Sequence, residues 1–160
     1  MTKKIISVIG SSVATEEELR NALEVGREIG RRGAVLVCGG LTGVMESAAR
    51  GAKETGGLTI GLIPGEEASA ANPYIDIVIP TGLGVARNVL VVASGQAVIA
   101  IGGKLGTLSE IAIAFLKGKP VIGLGTWGLE KGRAEGNELI PARDGREAVD
   151  KAFKAIDEKP

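Results

Sequence analysis

The sequence predicts a three-layer α/β domain built on a mainly parallel, doubly wound sheet, and three observations carry that prediction. Apolar runs of strand length alternate with longer stretches of helical period, the pattern of βαβ units whose strands are buried on both faces. Many of the 25 glycines gather at the junctions where those runs end. The length of 160 residues, with 44% hydrophobic and 24% charged residues, suits one globular domain spanning 1–160.

The elements follow in order. Residues 5–9 form the first predicted strand, and Thr15-Glu16-Glu17-Glu18 opens a helix with a capping-box pattern. Leu19, Ala22, Leu23, Gly26 and Ile29 repeat at helical spacing and aim one face at the sheet. Strands are predicted over 34–38 and 58–63, with a helix over 44–54 between them. Residues 65–72 are small and polar and read as a loop, the best candidate for a lid. A strand over 75–79, a helix over 85–93 and a strand over 97–101 come next. A helix over 108–116, with Gly118 just past its end, leads to a strand over 120–124. The glycine-rich stretch 125–136 reads as surface loop and 139–142 as a short edge strand. Asp144 caps a last amphipathic helix carrying Ala148, Phe153 and Ile156.

Composition removes whole classes of chemistry. Lys+Arg and Asp+Glu both number 19, so no general electrostatic footprint for nucleic acid or an anionic membrane is expected. There is no histidine, which excludes Ser-His-Asp triads, Cys-His pairs and His-ligated zinc. Cys38, the single cysteine, cannot form an internal disulfide, and the opening residues lack the apolar stretch of a secretory signal. A cytoplasmic protein is therefore expected. Aromatic residues, at 2%, are too few for the stacking platforms of single-strand binders, and no apolar run is long enough to span a membrane.

In a doubly wound sheet the ligand crevice lies beyond the carboxyl ends of the strands. Glycine turns sit at those ends: Gly10-Ser11-Ser12, Gly39-Gly40-Leu41-Thr42-Gly43, Thr81-Gly82-Leu83-Gly84 and Gly102-Gly103-Lys104-Leu105-Gly106-Thr107. Glycine permits close backbone approach, and free N–H groups at a helix start attract an anion, so these turns suggest a phosphate-binding rim. Neither a Walker A loop nor the G-x-G-x-x-G fingerprint is present, which disfavours an NTPase or an NAD enzyme. Thr107-Leu108-Ser109-Glu110 also reads as a capping box, in which Glu110 would only satisfy a backbone N–H. Gly39 to Gly43 could serve an anion or tight helix packing equally well. Arg87, in the first turn of its predicted helix, opposes the macrodipole there, and either pairs with a ligand anion or lies solvated on the surface. Cys38 and Met45 read as core residues.

Val37 to Glu46, the pair Arg87-Asn88 and Gly102 to Glu110 together resemble the LONELY GUY and molybdenum-cofactor-carrier superfamily of Rossmann-like proteins. The resemblance covers residues 4–124. In the LONELY GUY branch it implies hydrolysis of the N-glycosidic bond of nucleoside 5′-monophosphates. Arg87 and Glu110 would be the catalytic pair there, with Gly106 and Thr107 on the phosphate. Gly102 stands where that branch has proline, Lys104 where it has glycine and Asn88 where it has lysine. The runs 106–112 and 120–126 look more like the carrier branch, whose members bind the molybdenum cofactor, a pterin bearing a phosphate. The lysine-decarboxylase label that many members carry has no counterpart here, because nothing resembles a pyridoxal-phosphate lysine motif.

The expected function is thus binding of a phosphorylated heterocycle, nucleotide or molybdopterin, with the phosphoribohydrolase as the alternative. No cofactor is required, and the molybdenum cofactor would be carried rather than used. The expected ligand-binding residues are Gly10, Ser11, Gly39, Gly40, Gly43, Gly102, Gly103, Lys104, Gly106 and Thr107, beside Arg87 and Glu110. The resemblance also implies a homodimer or larger homo-oligomer.

Overall fold

The computed structural model describes residues 2–130 and 132–159. Seven strands form one sheet: β1 (Ile5–Gly10), β2 (Val35–Cys38), β3 (Leu58–Ile63), β4 (Ile77–Pro80), β5 (Ala97–Ile101), β6 (Val121–Leu124) and β7 (Leu139–Pro141). Their spatial order is β4-β3-β2-β1-β5-β6-β7, and every pairing is parallel. The expected α/β three-layer architecture is what forms. Helices α1 (Glu16–Arg31), α2 (Val44–Glu54) and α5 (Gly145–Asp157) cover one face; α3 (Asn88–Ser94) and α4 (Leu105–Leu116) cover the other.

Strand alternation divides the core accordingly. Ile6, Val8, Leu36, Cys38, Ile99 and Ile101 point toward α1, α2 and α5, whereas Ile9, Val35, Val37, Val98 and Ala100 point toward α3 and α4. Successive strands run outward from β1 to β4, and the chain then returns to the centre as β5 beside β1. That reversal is the topological switch point at which a parallel sheet opens a crevice.

Local chemistry explains the boundaries. Thr15 and Glu18 form the predicted capping box, with Thr15 N donating to Glu18 Oε2 at 2.9 Å and Glu18 N to Thr15 Oγ1 at 3.2 Å. Asp144 caps α5 by accepting from Glu147 N at 2.8 Å. The capping box expected at Thr107 does not form. α4 starts at Leu105, three residues earlier than the spacing suggested, with Lys104 as its cap residue and Leu108 N bonded to Lys104 O at 3.0 Å. Thr107 and Glu110 therefore lie inside the helix, both buried.

The helix expected over 85–93 is divided into a 3₁₀ turn at Gly84–Arg87 and the short α3, because the chain enters through Gly84 at φ 56°. The fourth strand starts at Ile77 instead of 75. Just before it, Thr59 N donates to Asp76 Oδ2 at 3.0 Å beside one backbone bond from Asp76 N to Thr59 O at 3.2 Å. The 65–72 loop contains one 3₁₀ turn, Ala68–Ala70, and is anchored by Asn72, whose N–H and Nδ2 donate to Gly40 O and Leu41 O. Position 131 of the expected 125–136 loop lies outside the described residues.

α1 and α2 approach so closely that glycine is obligatory between them. A Cβ on Gly26 would stand 1.9 Å from the Ala48 carbonyl oxygen, and one on Gly51 would stand 2.1 Å from that of Leu23. Backbone cannot yield as a flexible side chain does. Gly26→Ala is expected to cost about 2 kcal/mol in urea denaturation, the scale of an overpacked core. Gly128→Ala, where a Cβ meets nothing within 4 Å, should stay within about 0.5 kcal/mol of the parent. Equal midpoints for the two variants would contradict this packing.

Candidate functional site

A cavity of about 320 Å3 opens at the switch point, lined by the end of β1 (Val8, Ile9, Gly10) and the turn after it (Ser11, Ser12), by Gly39, Leu41 and Met45, by Arg87 and Asn88, and by Lys104, Gly106, Thr107 and Glu110. A depression of about 560 Å3 lies between α1 and α2, but its charged groups, Arg20, Glu46 and Arg50, stand on helix surfaces. The smaller cavity holds the buried charges and is the candidate site.

Two helix starts face this region and differ in what they offer. At α2 the turn after β1 occupies the position an anion would take: Val44 N donates to Ser11 O at 3.0 Å, and a Cβ on Gly43 would lie 2.3 Å from that same oxygen. The glycines from Gly39 to Gly43 thus serve mainly tight packing; Gly40, at φ 75°, lies against Ile63 and Gly61. At α4 no side chain caps the first turn, and Gly106 and Thr107 open into the cavity. The N–H groups of Leu105, Gly106 and Thr107 precede the first intrahelical bond, the kind of free donors an anion attracts, with Lys104 exposed at the rim.

Arg87 lies at the cavity and is buried, not solvated. The switch from 3₁₀ turn to α3 places it there. Its Nη1 donates to the side-chain oxygen of Asn88, while its Nε is buried with no hydrogen-bond partner. A Cβ on Gly39 would meet Arg87 Nη2 at 2.8 Å and Met45 Sδ at 2.7 Å, so the missing side chain at 39 is what admits both groups. Burial lowers the Arg87 pKa, and the charges of Glu110 and Cys38 partly restore it. No ion pair joins Arg87 to Glu110 among the described residues.

Glu110 projects from the second turn of α4 into the same cavity. Burial pushes its carboxyl up to about 7, against the pull of Arg87. Cys38 lies buried beneath the site, its thiol pushed up to about 11 by desolvation, and takes no part as a thiolate near neutrality. The site is therefore a buried cation, an uncapped helix start and a carboxyl that is half neutral at pH 7, against an apolar wall of Val8, Ile9, Leu41 and Met45.

Eight of the twelve sequence-predicted residues come together here: Gly10, Ser11, Gly39, Arg87, Lys104, Gly106, Thr107 and Glu110. Gly40, Gly43, Gly102 and Gly103 stand behind the lining. Gly102 takes φ 51° with the Glu18 carboxylate against it, and Gly103 takes φ 97° because Thr107 packs over it. The turn after β4 stays at the sheet edge and sends only Arg87-Asn88 inward, and the 65–72 loop does not line the cavity. Val8, Ile9, Ser12, Leu41, Met45 and Asn88 complete the lining without having been predicted to bind. For Asn88 the available signal was its place directly after Arg87.

Because the folded pKa of Glu110 exceeds its ordinary value of 4.5, the folded state holds the proton more tightly than the unfolded chain. Its contribution to stability is complete below pH 4.5 and is lost as pH rises to about 7. Relative to Glu110→Gln, the parent should lose about 3 kcal/mol of unfolding free energy across that window. Urea titrations of both proteins at acidic and mildly alkaline pH check this, and parallel profiles would contradict it.

The comparisons with known proteins agree with this geometry. The molybdenum cofactor binding protein of Rippkaea orientalis superposes with a TM-score of 0.91 at 39% identity, over 98% of this chain and 99% of that one. The Moco carrier protein of Chlamydomonas reinhardtii superposes with a TM-score of 0.89 at 35% identity, over 99% and 100% of the two chains. An uncharacterized protein of Archaeoglobus fulgidus is 48% identical over 119 residues, covering 74% of this chain and 78% of its own. Residues 3–150 match the family described as SLOG cluster4. The resemblance read from Arg87-Asn88 and the glycine turns is thereby borne out on its carrier-like side: the chain belongs to the SLOG cluster4 family.

Proposed function

We propose that the cavity binds a phosphorylated heterocycle stoichiometrically and that the protein carries this ligand instead of converting it, the molybdenum cofactor being the member of the class that the similar solved proteins bind. The observation that carries the reading is Arg87, a buried guanidinium with an unpartnered Nε and no ion pair, beside the open start of α4. A buried guanidinium with an unsatisfied N–H is costly, and an acceptor on the ligand supplies what the protein leaves out. The phosphate fits the N–H groups of Gly106 and Thr107 with Lys104 at the rim. The heterocycle fits against Leu41 and Met45, with Arg87 and Asn88 on its polar edge. The described residues contain no group of His, Cys, Asp and Glu able to hold a metal ion, so recognition falls on the phosphate and pterin. A homo-oligomer and a cytoplasmic location belong to the same proposal; among the described residues no helix is long and apolar enough to cross a membrane.

With its carboxyl pushed up to about 7 by burial, Glu110 is half neutral at pH 7. In its neutral form Glu110 can donate a hydrogen bond to the ligand.

Purified protein mixed anaerobically with molybdenum cofactor released from a molybdoenzyme should co-elute in gel filtration with about one molybdenum and one pterin per chain. Arg87→Ala should weaken retention by roughly 10–100-fold, the scale of a lost charge-assisted hydrogen bond. Gly39→Ala, which keeps every charge but crowds the guanidinium, should cause a smaller loss. Release of adenine and ribose 5-phosphate from AMP, abolished in Glu110→Gln, would overturn the carrier reading in favour of a phosphoribohydrolase.

A further inference from the structure

The loop that leads into α4 is flexible by composition and held by contact. Gly102 and Gly103 adopt φ 51° and 97°, and two adjacent glycines have more backbone freedom to lose than other residues. Two side chains from beyond β6 take that freedom away. Thr126 Oγ1 donates to Gly102 O at 2.6 Å, and the Trp127 indole Nε1 donates to Lys104 O at 3.2 Å. The end of β6 adds a third bond, from Gly102 N to Leu124 O at 3.0 Å. The chain turns back toward the loop at Gly125, φ 54°. The methyl group of Thr126 seats over Gly123, where a Cβ would stand 2.9 Å from it.

The two side-chain bonds bracket Lys104. In a trans peptide the C=O and the N–H point in opposite directions, and there is no cis peptide among the described residues. Holding Gly102 O toward Thr126 therefore turns the Gly103 N–H away from that hydroxyl, and holding Lys104 O toward Trp127 turns the Leu105 N–H away from the indole. Leu105 N is the first of the free donors at the open start of α4, and Lys104 carries the ammonium at the rim. Helix formation does not require the indole bond, because Lys104 O already accepts from Leu108 N at 3.0 Å within the first turn. Neither Thr126 nor Trp127 lines the cavity itself. On the reading that the ligand's phosphate sits at the start of α4, we infer that Thr126 and Trp127 are positioning residues for that phosphate. They fix the peptide planes on both sides of Lys104 in advance, so binding does not have to order a diglycine loop.

Hydroxymethylpterin and its phosphate ester differ only in the phosphate, and their own fluorescence reports binding. The parent protein should bind the ester more tightly than the alcohol. Thr126→Val removes the hydroxyl and keeps the shape; Trp127→Phe removes the indole N–H and keeps a ring. Each should weaken the ester by roughly 3–10-fold, the scale of one lost hydrogen bond, and leave the alcohol at the parent's affinity. Thr126→Ser, which retains the donor, should hold the ester better than Thr126→Val does. Bonds that only close the turn after β6 would lower both affinities together or neither, and either result overturns the inference, as would a Thr126→Ser protein no better than Thr126→Val. Arg87→Ala, which acts on the heterocycle, should weaken both compounds. Its loss of binding beside unchanged ester affinity in Thr126→Val and Trp127→Phe would overturn the positioning role and leave the cavity's function standing. A parent without preference for the ester would overturn the phosphate placement and the positioning role together. If one of the two variants loses the parent's circular dichroism spectrum, the other carries the same comparison.

Discussion

The reversal of winding between β1 and β5 is the constraint on which the rest depends. Parallel strands all end at one edge, and each connection must climb back over a face of the sheet; where the direction of addition changes, the connections on the two faces diverge and leave a crevice. The chain fills that crevice only partly. The turn after β1 leans across to the start of α2, while the start of α4 stays open on the other side.

That asymmetry explains the electrostatics. The α2 start is quenched by the Ser11 carbonyl, so the positive end of α4, the Arg87 guanidinium and the Lys104 ammonium set the character of the site. Glu110 does not neutralise it, because low-dielectric surroundings hold its proton near pH 7 and no ion pair forms. A site built in this way presents a buried cation, free N–H groups at a helix start and a carboxyl that is half neutral at pH 7. Asn88 accepts from one end of the guanidinium and leaves its Nε for another acceptor.

The same division appears on the outside. α1 and α2 pack backbone to backbone through Gly26 and Gly51, then present charged side chains to water. α3 and α4 bury Val91, Val92, Ile111 and Ala114 against the sheet and still expose leucine and valine outward.

The sequence by itself determined the architecture and much of the site. Alternating apolar runs specify strands and helices through period alone, which is why the sheet, the Thr15 capping box and the Asp144 cap were legible. Glycines at strand ends marked the edge where ligands bind, and Arg87 stood out because a cation opposes a helix start. The tertiary structure alone decided which glycines face a ligand. Gly39 admits Arg87 and Met45, whereas Gly43 and Gly103 yield to Ser11 and Thr107, contacts made across residues distant in sequence or folded back by a helix turn. It also decided that Glu110 is a buried acid and not a cap: Thr107-Leu108-Ser109-Glu110 fits either role locally, and only the earlier start of α4 and the desolvation beneath it set the proton affinity. Local pattern fixes what a segment is; burial and charge, which come from the whole fold, fix what its side chains can do.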